Sequence, residues 1–221
     1  MNAECAQDSR GVGCSVPGVE LREVDSRDDL FEIARVWHHW FGARYGPDRL
    51  PRELAHIVGW VDEDDAPIDV YAVIAEHETV SVGWGIAVHA TRQETLEDLP
   101  EGSFDAEELV PGSAGWMQFS AVDRAWRSQG IGRALFENRL RWLADQDPSI
   151  VLGLSWERDG RTSRPLFEGC GFHPIEYFPD YYANVDWDRS PCPECGITVS
   201  DDEVCECGAT LWALDGSDID A

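Results

Sequence analysis

The stretch Ala121-Val122-Asp123-Arg124-Ala125-Trp126-Arg127-Ser128-Gln129-Gly130-Ile131-Gly132-Arg133 decides how the chain is read. The apolar run from Trp116 to Val122 reads as a strand, a polar turn follows, and the Gly-x-Gly at 130–132 opens a long helix. Two glycines at a helix entrance leave backbone N–H groups uncovered by side chains. The positive end of the helix dipole adds to them, and the result is a seat for an anionic group. Arg127 and Arg133 flank that seat. Two other glycine-rich phosphate binders do not fit. A P-loop needs Gly-Lys-Ser/Thr after its glycines, and the chain has no lysine. A Rossmann fingerprint would put its third small residue at Leu135.

What does fit is Arg-x-x-Gly-x-Gly, carried by Arg127, Gly130 and Gly132 and preceded by a strand ending in Ala121-Val122. This resembles the acetyl-CoA-binding motif of the GNAT superfamily of N-acetyltransferases. The plain alternative is an ordinary strand–helix turn that happens to carry glycines, and the order of the surrounding elements favours the family.

Working outward, Val19 to Val24 is an expected first strand, and residues 1–16 a flexible leader. Ser26 caps a helix, with Asp29 completing a capping box. Leu30, Ile33, Ala34, Trp37 and Phe41 form its apolar stripe, Gly46-Pro47 ends it, and a second short helix is expected over Arg52 to Val58. His38 and His39 point about 100° apart on the first helix and take no shared metal role. Asp69 to Ala75 and Val80 to Ala90 read as a hairpin about the turn Glu76–Thr79. The segment Arg92 to Gly115, acidic and rich in Gly and Pro, reads as a loop. The helix from Gly130 to Ala144 carries two apolar stripes, one through Ile131, Ala134, Leu135 and Trp142, the other through Phe136, Leu140 and Leu143. It is therefore expected to be covered on two sides. Ser149 to Trp156 is a near-continuous apolar run, as in a central strand, and strand–helix–strand of this length makes a right-handed parallel unit. Arg161 to Cys170 reads as a short helix with Pro165 in its first turn. The Gly171-Phe172 pair after it resembles the second GNAT signature, and Phe172 to Asp186 reads as the closing strands. The resemblance covers about residues 18 to 188.

Composition narrows the class. The 221 residues carry 43 acids against 17 basic groups, a net charge of −26, and every basic group is arginine. The acids are dispersed, a pattern that resembles cytoplasmic proteins of salt-accumulating halophiles; an acidic protein built to grip a basic partner would gather them in blocks. Such a surface repels phosphodiester backbones, which argues against nucleic acid as a partner. No run is long enough to span a membrane and the first residues lack a signal-peptide pattern, so a cytoplasmic protein without a membrane partner is expected. Arg124, Arg127, Arg133, Arg139 and Arg141 form the one sustained basic stretch. Spacing of four pairs Glu137 with Arg133 and Arg141, leaving Arg124 and Arg127 without a partner in the motif.

Cys192-Pro-Glu-Cys195-Gly is a metal knuckle, followed by Cys205-Glu-Cys207-Gly. Four thiolates in so short a segment suit tetrahedral, structural zinc, and the segment resembles a short zinc ribbon with Cys-x-Cys in place of the second Cys-x-x-Cys. A disulfide pair is the alternative. Cys170 reads as packing, and Cys5 and Cys14 as bystanders. The expected organisation is thus a leader (1–16), a mixed α/β GNAT-like domain with splayed central parallel strands (17–188), a zinc-ribbon-like segment (189–214) and an acidic tail (215–221).

The resemblance implies that acetyl-CoA lies between the strands Trp116–Val122 and Ser149–Trp156. Ala121 and Val122 would then face the pantetheine arm, while Arg127, Ser128, Gln129, Gly130, Ile131, Gly132 and Arg133 hold the pyrophosphate. It also implies direct attack by an amine within a ternary complex, the acceptor being a small molecule, a peptide N-terminus or a lysine. The family's usual acid, a tyrosine, is Phe167 here, and a usual position of its base is Gln118. Glu157, at the end of the second splayed strand, is the candidate base, and Tyr177, Tyr181 and Tyr182 are candidate acids. The rival function is a non-catalytic acetyl-CoA-binding or interaction module that docks a protein partner through the zinc ribbon.

Overall fold

The computed structural model describes residues 16–33, 69–158, 161–182 and 205–219. Strand β1 (Val19–Glu23) leads into helix α1, helical over residues 27–33. The expected capping box is present: Asp29 N–H donates to Ser26 Oγ and Ser26 N–H to Asp29 Oδ2, both at 3.3 Å. Arg22 Nη2 pairs with Asp29 Oδ1 at 2.5 Å, and its guanidinium draws the Asp29 carboxyl down to about 2. A carboxyl lowered by folding stabilises the fold above its unfolded pKa, and that contribution is lost as pH falls from there through the folded value. For this buried carboxyl the contribution is about 2 kcal/mol. Asp29→Asn is therefore expected to cost about that much at pH 7 and almost nothing near pH 2, as read from denaturation midpoints at the two pH values.

Strands β2 (Asp69–His77) and β3 (Val80–Ala90) form the hairpin; β3 has its expected bounds, and β2 runs on past Ala75 to His77, closer to the tip than the sequence suggests. Glu78 and Thr79 both take positive φ, 48° and 72°, so a two-residue turn closes it. The segment expected to be a loop contains two helices, α2 (Arg92–Asp98) and α3 (Ala106–Leu109). Their reason is local. Thr91 and Glu94 cap α2 reciprocally, Asp105 caps α3, and Arg92 Nε ties the pair together by donating to Val110 O at 2.7 Å. The remaining elements are β4 (Ala114–Val122), a 3₁₀ turn (Arg124–Trp126), α4 (Ile131–Asp145), β5 (Ile150–Arg158), β6 (Arg161–Thr162), α5 (Arg164–Gly169), β7 (His173–Phe178), β8 (Gly208–Asp215) and a second 3₁₀ turn (Gly216–Asp218).

The strands make one mixed sheet in the order β1-β2-β3-β4-β5-β8-β7, with β6 paired to β5. Only β4 and β5 pair in parallel among the described residues, and α4 crosses between them as expected. Helix α4 is covered on two sides. Ile131 and Leu135 pack with Val73, Ala75 and Val82, while Phe136, Leu140 and Leu143 pack with Phe167, Phe172 and Trp212. The opposite face of the sheet buries Ile74, Trp84, Trp116, Leu152 and Leu211.

One strand comes from an unexpected place. The expectation placed both closing strands between Phe172 and Asp186 and gave residues 208–214 to the cysteine-bearing segment. Instead β7 is followed by β8, which inserts between β5 and β7, pairing Ile150–Glu157 on one side and His173–Phe178 on the other. Ala209 to Leu214 is apolar apart from Thr210 and buried on both faces, which a strand at the middle of a covered sheet requires. No helix of the described residues is long and apolar enough to cross a membrane. The second helix expected over Arg52 to Val58, the histidines His38 and His39, and residues 1–15 of the leader lie outside the described residues, while Val16, its last residue, is buried beside Val19.

Candidate functional site

The turn between β4 and α4 is built by its own hydrogen bonds. Asp123 Oδ1 accepts from Ala125 N–H at 2.9 Å, Gln129 Nε2 donates to Ala125 O at 3.2 Å, and Arg127 Nε donates to Val122 O at 3.3 Å. That last bond supplies the partner for Arg127 that the motif lacked. Ser128 (φ 59°) and Gly130 (φ 93°) are both left-handed, the conformation that turns successive N–H groups to one side. No side chain caps α4, and its first turn carries no acid in a chain that has 43 of them. The first intrahelical bond runs from Ala134 N–H to Gly130 O, so the amides of residues 131–133 leave the helix end without an intrahelical acceptor.

Gly132 is informative because the protein itself does not demand it. A Cβ there would meet Val122 Cγ2 at 3.8 Å and Leu166 Cδ1 at 3.9 Å, ordinary contacts. Glycine in the first turn of a helix costs up to about 1 kcal/mol against alanine, and no neighbour among the described residues requires it here. Arg133 pairs with Glu137 at 2.6 Å, as the spacing of four predicts.

β4 and β5 stay paired only from Ala114–Ile150 to Met117–Gly153, and beyond that point they part. Residues 118–122 of β4 and 154–158 of β5 thus form the two arms of a wedge. Ala121 and Val122 lie on the first arm and lead into the helix tip; of the predicted cofactor residues Ala121 and Ile131 are buried, Val122, Arg127 and Gly132 half-buried, and Ser128, Gln129, Gly130 and Arg133 exposed. Phe167 sits at the apex: its ring would overlap a Cβ on Gly153 (2.6 Å), and it stacks on Trp212 at 5.6 Å. A phenyl ring there cannot donate a proton, and Gln118, just past the apex, can act neither as base nor as acid.

Glu157 lies on the second arm, its side chain 13% exposed. One carboxylate oxygen, Oε1, accepts from Ser155 Oγ at 2.9 Å, Thr210 Oγ1 at 2.9 Å and Arg164 Nη2 at 3.3 Å. Ser155 in turn accepts from Trp212 Nε1 at 2.8 Å. These bonds fix the carboxylate, and Oε2 takes none of them. Thr210 and Trp212, the partners that the sequence did not connect to Glu157, both come from β8. Of the three tyrosines, Tyr177 is exposed and its hydroxyl lies over Gly208, the register partner of Glu157. Tyr182 stacks on Trp156 at 3.8 Å, and burial pushes the Tyr181 hydroxyl up. Burial also pushes the Cys170 thiol up, in keeping with packing rather than nucleophilic use.

Cys205 and Cys207 are both buried, clustered with Trp156 and Tyr182 at the start of β8. Cys192 and Cys195 lie outside the described residues, and among those described no group of three or more His, Cys, Asp or Glu side chains is arranged to hold a metal.

Residues 29–172 match the model of the acetyltransferase (GNAT) family. Among curated protein sequences none matches the chain. Solved structures share its fold. Arabidopsis thaliana NAA60 in complex with a bisubstrate analogue superposes with a TM-score of 0.58 at 14% identity, covering 89% of this chain and 97% of that one. The same protein in complex with acetyl-CoA gives 0.57 at 14% identity over 89% and 98%. The ribosomal-protein-S18-alanine N-acetyltransferase of Escherichia coli gives 0.56 at 12% identity, over 89% and 93%.

Proposed function

We propose, from the premise that the chain belongs to the acetyltransferase (GNAT) family and is an acetyl-CoA-dependent acyltransferase, that it moves the acetyl group to a primary amine by direct attack in a ternary complex. The observation that carries this is the joining of an open strand wedge to an uncapped, acid-free helix tip. In this reading the amides from Ser128 to Arg133 hold the diphosphate, and Ala121 and Val122 guide the pantetheine arm. The neutral amine forms a bond to the acetyl carbon as the carbon–sulfur bond breaks, and the proton lost by the nitrogen goes to Glu157 Oε2. Tyr177 is the tyrosine best placed to return a proton to the departing sulfur. The acceptor is a small amine, a peptide N-terminus or a lysine, and the acidic surface suits a cationic one.

The test is thiol release from acetyl-CoA against a panel of amines in molar KCl. Release that requires the amine supports the enzyme. Tight acetyl-CoA binding with no turnover on any amine supports the non-catalytic module instead, the reading that Phe167 favours.

Two further readings rest on composition. Zinc on Cys192, Cys195, Cys205 and Cys207 would staple the connection between β7 and β8, and a buried pair of thiols two residues apart is a suitable half-site. Native mass spectrometry is expected to find one zinc per chain, lost in Cys205→Ser together with several degrees of melting temperature; a metal-free chain of full stability would refute it. A net charge of −26 spread over the surface is self-repelling, as in halophile proteins. The melting temperature is accordingly expected to rise steadily from about 0.1 M to about 2 M KCl, and a flat dependence would exclude this reading, with its cytoplasmic, salt-rich setting.

A further inference from the structure

Arginine at 139 breaks the apolar stripe of α4, standing four residues from both Leu135 and Leu143. It is only 2% exposed, one of the largest buried side chains in the molecule. Among the described residues its hydrogen-bond partners are three backbone carbonyls and no carboxylate: Nε donates to Leu135 O at 3.1 Å, and Nη1 to Ile86 O at 2.9 Å and Phe119 O at 3.3 Å, while the guanidinium carbon lies 5.7 Å from the centre of the Phe136 ring. Burial brings its pKa down to about 9. Burying a guanidinium with no counter-charge is costly, so its place calls for a reason beyond packing.

The two distant carbonyls supply one. Between the pairs Gly85–Ser120 and Ala87–Met117 the register slips, so that Ile86 alone faces Gln118 and Phe119. This is a bulge in β4, and it leaves backbone groups out of the ladder. Ile86 and Phe119, on opposite strands of that bulge, are the residues whose carbonyls Arg139 takes. The bulge begins one residue after Met117, the last β4 residue paired with β5. It therefore lies at the hinge of the wedge. Gly85 leaves the slot for the guanidinium, since a Cβ there would stand 2.7 Å from Arg139 Nε.

We propose that Arg139 is a positioning residue for acetyl transfer: by clipping the Ile86 and Phe119 carbonyls together it fixes the bulge at which β4 leaves β5, and with it the direction of the backbone along which the thioester lies. This rests on the reading that the wedge receives acetyl-CoA. The diphosphate seat is at the helix tip, two turns of α4 away from the clip, so the loss of the clip spares cofactor affinity and acts on alignment. Misplacing reacting atoms by about 1 Å costs on the order of 100-fold.

The experiment compares wild type, Arg139→Met, Arg139→Lys, Gly85→Ala and Leu143→Ala, the last a buried change on the same helix away from the bulge. Melting temperature, acetyl-CoA affinity by calorimetry, and kcat at saturating amine are measured for each. Arg139→Met is expected to lose at least about 30-fold in kcat with acetyl-CoA affinity within about threefold. Arg139→Lys keeps the charge but lacks the fork, and is expected to recover only part of that loss. Gly85→Ala, which displaces the guanidinium without removing it, is expected to lower kcat in the same sense and decides the matter if Arg139→Met does not fold. Leu143→Ala is expected to lower the melting temperature while sparing kcat. Wild-type kcat in the folded Arg139 variants, or in Gly85→Ala, overturns the clip, as does a kcat loss in Leu143→Ala equal to theirs. Failure of the wild type itself to bind or turn over acetyl-CoA overturns the functional reading instead.

Discussion

Replacing Gly132 with leucine is expected to raise the dissociation constant for acetyl-CoA by about 100-fold or more while leaving the fold standing. The protein has room for the first carbon of the new side chain, because Val122 and Leu166 approach the Cβ position no closer than 3.8 Å. Leucine is also the better helix former, by close to 1 kcal/mol. What the substitution fills is the space above the amides of residues 131–133. If those amides hold a diphosphate, two or three charge-assisted hydrogen bonds of about 1.5–3 kcal/mol each are lost, and 3 kcal/mol is already more than 100-fold. Gly130 is a poorer probe. Its φ of 93° would strain any other residue, so a loss of binding there mixes backbone and ligand effects. Calorimetry on Gly132→Leu, with the melting temperature as a check on folding, reads the effect, and unchanged affinity would place the cofactor elsewhere.

Glu157→Gln should lower kcat by about 10²- to 10⁴-fold, the usual scale for a lost general base. The amide is isosteric and its oxygen still accepts from Ser155 and Thr210, so the site should keep its shape. Only the proton acceptor disappears. Acetyl-CoA affinity is expected to be unaltered. A variant with full kcat would make Glu157 a structural acid that secures β5 to β8 and Arg164, and the base would have to be sought elsewhere on the wedge.

How far the sequence could be read depended on whether a signal was local. The capping box at Ser26 and Asp29, the two-sided stripe of α4 and the glycine tip are properties of a few neighbouring residues, and each stands as expected. The capping box at Thr91 and Glu94 has the same form, yet the acidic, proline-bearing composition around it reads as loop. Strand β8 is hidden for a different reason. Its apolar run adjoins cysteines whose spacing is the stronger short-range pattern, whereas its partners are β5 and β7 across the sheet. Glu157 could be suspected from its place at a strand end. Its fixation by Thr210 and Trp212 could not, because both belong to that misassigned strand. Arg139 did leave a trace, a charge in the middle of an apolar stripe, but counting it with the surface arginines hid its burial.

The most direct measurement follows the backbone amides of the helix tip. In a titration of ¹⁵N-labelled protein with acetyl-CoA, the resonances of Gly130, Ile131, Gly132 and Arg133 should shift downfield and saturate together, with smaller changes along Ala121 and Val122. Saturable binding that left those four amides unmoved would contradict the assignment of the diphosphate to this tip.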